Sequence, residues 1–385
     1  MTRTLRYVPH LAAAGVGYVL FAYAAIPSVV VAELGVGYAQ LGLLTSAPLL
    51  SFALVQPVGG RLLERYPAAT VLLWATVAHT GVTVALSLAG TFPVALALRV
   101  AWGVAAGLLI GAGATHLARL NEGAVATRQQ GVFGGMVTFG GAAAFALAPQ
   151  LAPLVGSSGT QAPGVALAVP AVLALAVVDR EPTAPAAATS NRPALSVLAN
   201  PVVVVAALAY VAIIGSYVTL STFVTAYFAD LGLVGPLNVL VLLVATAGRA
   251  GGGAVLPLVA SDRRLTAGSA LVAAAGFGAL AIGPGPALVG FLPLVAMLAV
   301  TAPFGAVYTL AATATDLEGA AIATVLAAGN LAAVVLPTVT GAVRDATGGY
   351  GGGFALLAAV NGLAALALVG LPAVADVDDR REEPA

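Results

Sequence analysis

Two arginines stand inside long apolar stretches of this chain, and they are the side chains best equipped for chemistry. Arg249 lies within 237–259, LNVLVLLVATAGRAGGGAVLPLV, and Arg99 lies within 93–117. A guanidinium stays charged and presents a planar fork of donors that suits a carboxylate or another oxyanion. Read as a helix crossing a bilayer, 237–259 puts Arg249 roughly ten residues, or ~15 Å, from the inner end, near the midplane. Inserting an arginine there costs about 2.5–3.5 kcal/mol on translocon scales, so it must face a wet cavity or a partner. In one arrangement it holds an anionic substrate. In the other it bonds carbonyls or snorkels inward along Gly251-Gly252-Gly253. Arg99 is about seven residues, or ~10 Å, from the outer end of its stretch. It either shapes the outer part of a cavity or packs against carbonyls and Tyr or Thr hydroxyls.

Other polar residues on apolar stretches join these two. Tyr18 and Tyr23 lie on the first, Tyr210, Ser216, Tyr217, Thr219 and Thr222 on the seventh, and Gln56, Tyr308, Asn330 and Asn361 elsewhere. Each either lines a cavity or makes an interhelical hydrogen bond. The candidate substrate contacts are Arg249, Arg99, Tyr18, Tyr23, Tyr217 and Asn330. No acid is deep in any apolar stretch: Glu33 and Asp230 fall at outer ends, and Glu64, Glu122, Asp262, Asp316 and Glu318 at inner ends. No buried carboxylate is then available as a proton carrier; if the chain moves a solute, an anion brings its own proton, or the movement is uniport or exchange. His79, mid-helix, reads as a neutral packing residue, and His10 and His116 as interfacial ones. Cysteine is absent, which excludes disulfides and thiol chemistry. No His pair has ligand spacing, so no metal site is expected. All fifteen cationic residues are arginine, which rules out a phosphate loop built on lysine. The chain reads as a non-enzyme without a cofactor.

Helices must position these residues. Apolar residues make up 60% of the chain, charged ones 8%, and mean hydropathy is +1.03. Apolar runs of membrane-spanning length recur at 8–32, 39–62, 69–90, 93–117, 129–154, 163–178, 199–228, 237–259, 266–284, 287–312, 320–342 and 353–374. With the N-terminus inside, twelve of the fifteen arginines fall in inner loops and ends, and only Arg344 falls outside. That asymmetry places both termini in the cytoplasm of a multi-pass cell-membrane protein. The predicted fold is an all-α membrane protein of twelve spans: a six-helix bundle over 1–178, a cytoplasmic linker over 179–198, a second bundle over 199–375 and an acidic tail over 376–385.

The two halves share landmarks. Glu33-Leu34-Gly35 ends the first span and Asp230-Leu231-Gly232 the seventh, 197 residues on; Glu64-Arg65 follows the second and Asp262-Arg263 the eighth, 198 residues on. Six helices duplicated in parallel are a transporter architecture, with the substrate near the midplane between halves. Gly103, Gly107 and Gly111, and Gly131 with Gly135, are spaced to let helices approach closely.

The segment Gly60-Arg61-Leu62-Leu63-Glu64-Arg65-Tyr66-Pro67 resembles the signature between the second and third helices of the major facilitator superfamily. Gly60, Leu62 and Arg65 match; Glu64 replaces an aspartate, and Pro67 stands where a glycine is usual. Arg99 with its following glycines, and Gly329-Asn330 through Pro337, Gly341 and Asp345-Ala346-Thr347-Gly348, are also similar to that family. The helix-five motif of drug–proton antiporters fails here, because Ala144-Phe145 replaces Gly-Pro. The resemblance implies twelve helices in two repeats, alternating access, and an inner gate at Gly60, Glu64, Arg65, Asp262 and Arg263. Topology alone also explains those arginines.

The sequence thus predicts a monomeric secondary transporter or facilitator in the lipid bilayer, for a small inorganic or organic anion, with no nucleic-acid partner. Efflux of hydrophobic compounds would require Arg249 to face away from an apolar cavity. A non-transporting sensor or assembly subunit would have a blocked one.

Overall fold

The computed structural model describes residues 2–120, 123–176, 194–233, 236–259, 261–283, 285–315 and 317–371. Apart from turns, these residues are helical. The helices are α1 Thr2–Phe21, α2 Pro27–Leu34, α3 Tyr38–Arg65, α4 Ala68–Leu86, α5 Phe92–Leu120, α6 Gly123–Gly159 and α7 Pro163–Ala176. A 3₁₀ turn, Ala194–Ala199, leads to α8 Pro201–Asp230, α9 Leu237–Val259, α10 Asp262–Ala281, α11 Pro286–Thr301, α12 Phe304–Ala312, α13 Glu318–Thr347 and α14 Gly351–Gly370. Among the described residues, nine helices are long and apolar enough to cross a membrane, and three shorter apolar ones cover Val8–Phe21, Pro163–Ala174 and Leu237–Gly252. Each predicted apolar run coincides with one or two of these helices. Of the predicted linker, 179–193 lies outside the described residues and 194–198 falls in the 3₁₀ turn; the predicted tail lies entirely outside them.

Helix is the form such a chain must take in lipid, because it satisfies every backbone donor and acceptor within one segment. The exceptions have local causes. The run 8–32 is broken at residues 22–26, ahead of Pro27, where Ile26 leaves the helical region at φ −134°. A residue before proline is pushed out of the helical basin, and the proline itself supplies no N–H. At Pro303 the predicted run 287–312 divides into α11 and α12: Ala302 keeps helical angles, but Pro303, without an N–H, leaves the helical basin at ψ 11°. In α6 the left-handed Gly156, at φ 69°, interrupts the last turn.

Helices α1–α7 pack among themselves, as do α8–α14, and the two groups meet chiefly along α3–α13 and α6–α9. Close approach needs missing side chains. A Cβ on Gly103 would stand 2.2 Å from the Pro48 carbonyl oxygen, and one on Gly42 would stand 2.8 Å from that of Pro337. The first contact joins α5 to α3; the second is on the seam between groups, where the Ser46 and Thr338 hydroxyls also lie 3.2 Å apart. On the other seam the Thr246 hydroxyl donates to that of Thr138 at 2.8 Å.

Candidate functional site

The position of Arg249 follows from the break in front of α12. On α9, Gly248 and Gly252 lie against Thr301 and Ala302, where α11 ends. This draws Phe304, the first residue of α12, over the guanidinium. The Arg249 Cζ is 4.4 Å from the Phe304 ring centroid and 4.5 Å from that of Tyr217 on α8. A cation between two ring faces gains up to about 2 kcal/mol per ring when desolvated. Rings, however, leave its hydrogen-bonding capacity unused. The Arg249 Nε is buried with no hydrogen-bond partner, and so is the Tyr217 hydroxyl.

The surroundings extend the aromatic wall across the molecule. Phe304 packs edge-on to Tyr308, and the Tyr308 hydroxyl shares a short hydrogen bond with Tyr210. Tyr217 meets Phe21 of α1 at 5.8 Å, and Phe21 in turn meets Phe145 of α6 at 6.5 Å. Arg249 is therefore one ring away from the other helix group. The one ion pair among the described residues is Arg344–Asp230, at the end of the molecule predicted to face outward, so no acid balances Arg249.

Arg99 has the opposite surroundings. It is fully buried, and its Nε donates to the Leu44 carbonyl at 2.7 Å. Its Nη1 donates to Val19 at 2.6 Å and Nη2 to Leu20 at 2.8 Å. Val19 and Leu20 end α1, where the break leaves carbonyls in need of donors. Tyr23 and Trp102 flank the guanidinium at 5.5 and 5.3 Å. Tyr23 also pairs with the Ser158 hydroxyl at 3.3 Å, and Tyr18 lies against Gly164 of α7. The contacts of these three residues lie within the first helix group, and the buried Tyr18 hydroxyl has no hydrogen-bond partner. Asn330 is half-buried on α13. Several other polar candidates are interhelical ties: Asn361 donates to Ser216 at 2.7 Å, and Gln56 to the Gly107 carbonyl at 3.3 Å. His79 is buried beside Trp102, 5.6 Å between ring centroids.

The predicted inner-gate residues have varied surroundings. Gly60 and Arg65 are exposed, and the Asp262 Oδ1 has no partner. The Glu64 side chain lies outside the described residues. Arg263 donates to the carbonyls of Leu368 and Val369, at 2.8 and 2.9 Å, tying α10 to the end of α14 within its own group. At the opposite end, residues outside the predicted gate set tie the two helix groups together. The Asp345 carboxylate accepts the N–H groups of Tyr38 and Ala39, both at 2.9 Å, and so caps α3 from across the seam. Next to it Arg344 pairs with Asp230 at 2.7 Å and lies 5.2 Å from the rings of both Tyr38 and Tyr350. Burial holds the Tyr350 hydroxyl well above the ordinary phenol range, against the opposing pull of Arg344, so it stays neutral. Position 345 stood in the family-like loop, but nothing in the sequence pairs it with residue 38.

The profile of the Major Facilitator Superfamily matches residues 11–337. No curated protein sequence matches the chain. Among solved structures, a bacterial homolog of the human lysosomal transporter Spinster, inward-facing and occupied, is similar with a TM-score of 0.78 at 16% identity, covering 95% of this chain and 96% of that one. The same kind of homolog, inward-facing and unoccupied, gives a TM-score of 0.71 at 16% identity, covering 96% and 95%. At that identity the likeness concerns the fold. The helices, the seam and the matched profile together make this chain a multi-pass membrane transporter belonging to the Major Facilitator Superfamily.

Proposed function

We propose that this transporter moves a small organic anion by alternating access, and that Arg249 is its main anion contact. The observation that carries this reading is an arginine held between two rings, with a buried Nε left unbonded and no acid beside it. Such a cation is incomplete until an anion supplies the counter-charge. The rings of Tyr217, Phe304, Tyr210 and Tyr308 favour an organic anion over an inorganic one, since they offer an apolar body something to pack on. Arg99 is assigned to packing, because its donors already serve three carbonyls.

The same reading takes the chain as twelve spans in two six-helix repeats, 1–178 and 199–375, with both termini cytoplasmic. One contact pair supports the duplication. Glu33, ending the first span, accepts the Ser157 N–H on α6 at 2.7 Å. Its counterpart Asp230, ending the seventh, accepts from Arg344 on α13. In each half the acid closing span one reaches span five. The bonds of Asp345 to α3 support closure of the outer side, and the separated inner residues support an opening toward the cytoplasm.

Counterflow into proteoliposomes tests this function. A panel of carboxylates and other organic anions, each beside its neutral amide or ester analogue, is offered to the purified protein. Saturable uptake of an anion but not of its neutral analogue is expected. Uptake confined to neutral apolar compounds refutes the reading in favour of hydrophobic efflux.

A further inference from the structure

A second feature lies on a different face of α9 from Arg249, along Ala247, Gly248, Gly251 and Gly252. Helices α9 and α10 scarcely touch, and both rest on α11. Where the three converge, small residues remove the bulk that would fill the angle: Ala247, Gly251, Gly268, Ser269 and Ala299. The result is an apolar groove of about 460 Å³, with Arg264 as the one charged residue on its lining.

We propose that this groove holds one acyl chain of an anionic phospholipid from the inner leaflet, with the lipid phosphate on Arg264. Three observations point to that occupant. First, the lining from Arg264 to Val272 runs ~12 Å along α10. That is close to one leaflet, about half of a ~30 Å hydrocarbon core. Second, Arg264 is exposed, and its guanidinium makes no hydrogen bond or ion pair among the described residues. Its neighbour Arg263 is committed to the carbonyls closing α14. The free cation therefore sits where a phosphate would lie when the chain fills the groove. Third, Arg264 is on the arginine-rich side of the sequence, which faces the leaflet that carries anionic lipid.

The occupant would also touch the helix break beside the central site. Ala302 forms the end of the groove and directly precedes the Pro303 break, and Phe304 beyond it covers Arg249. A chain lying there braces α11 against α9 at the point where the central site is assembled.

Two substitutions separate the parts of the proposal. Gly268→Leu fills the groove, and a Cβ at Gly268 meets nothing within 4 Å, so the fold should tolerate it. Arg264→Gln removes the charge and keeps the groove. The full chain, purified and stripped of lipid in detergent, is titrated with phosphatidylglycerol or phosphatidylcholine. Retained lipid is counted by native mass spectrometry, and the thermal midpoint is followed in parallel. The parent should retain one phosphatidylglycerol in preference to phosphatidylcholine. Arg264→Gln should lose about five-fold in that preference, the contribution of one interfacial arginine. Gly268→Leu should lose retention of both lipids. Equal retention of the two lipids by the parent, or parent-like retention by either variant, overturns the assignment. A thermal shift reproduced by inorganic phosphate alone also overturns it, by showing an ion site without a lipid chain.

Discussion

Arg99 and Arg249 are the same side chain in the same kind of apolar helix, yet their surroundings give them different work. Which one is free depends on where α1 breaks, because the break exposes the Val19 and Leu20 carbonyls that engage Arg99. Sequence spacing brought out both residues but could not tell them apart. It contains no sign of which carbonyls will lack donors, and none that Phe304 will lie over residue 249. The difference should appear in stability. Arg99→Leu leaves three buried carbonyls without donors, and hydrogen bonds from a charged group are worth about 1.5–3 kcal/mol each. A loss of at least ~2 kcal/mol is expected, read as a lowered thermal midpoint in detergent. Arg249→Gln should stay near the parent midpoint, since the two ring contacts it loses are offset by removal of a charge costly to bury, and no protein hydrogen bond is lost. A fall equal to that of Arg99→Leu would assign Arg249 to structure.

Among the elements, the seam between α3 and α13 carries the Asp345 contacts on which the proposed outer closure rests. Asp345 supplies both a charge and two acceptors to the first turn of α3, where unpaired N–H groups and the helix dipole favour an anion. An aspartate in such a place is worth about 0.3–1 kcal/mol, and up to ~2 when partly buried. Asp345→Asn should thus shift the equilibrium toward outward opening. The absence of native cysteine makes this measurable with a single Ser46→Cys, which the seam now covers. Labelling from outside should rise several-fold in the double variant, and unchanged labelling would remove Asp345 from the closing contacts. Element positions were largely legible, because apolar run length fixes where helices fall. The interruptions at 22–26 and at Pro303 were not, because proline alone does not mark a break in so apolar a chain: Pro48 and Pro57 lie inside α3 and Pro337 inside α13. The cap at Asp345 was hidden for another reason: it joins residues 307 positions apart.

For the whole molecule, the arginine asymmetry predicts that the segment between the two helix groups is cytoplasmic. A cysteine at Ser190 should react with a membrane-impermeant maleimide only after the inner face is opened to it. Reaction in intact cells would overturn the twelve-span topology. The central question is whether the transported solute completes the charge of Arg249. It is answered by ligand-induced thermal stabilisation, using the organic anion that the counterflow panel identifies. The parent should be stabilised in proportion to occupancy, Arg249→Lys only partly, because lysine loses the planar fork, and Arg249→Gln not at all. Undiminished stabilisation of Arg249→Gln by the same anion would mean that the anion binds elsewhere and that Arg249 is not its contact.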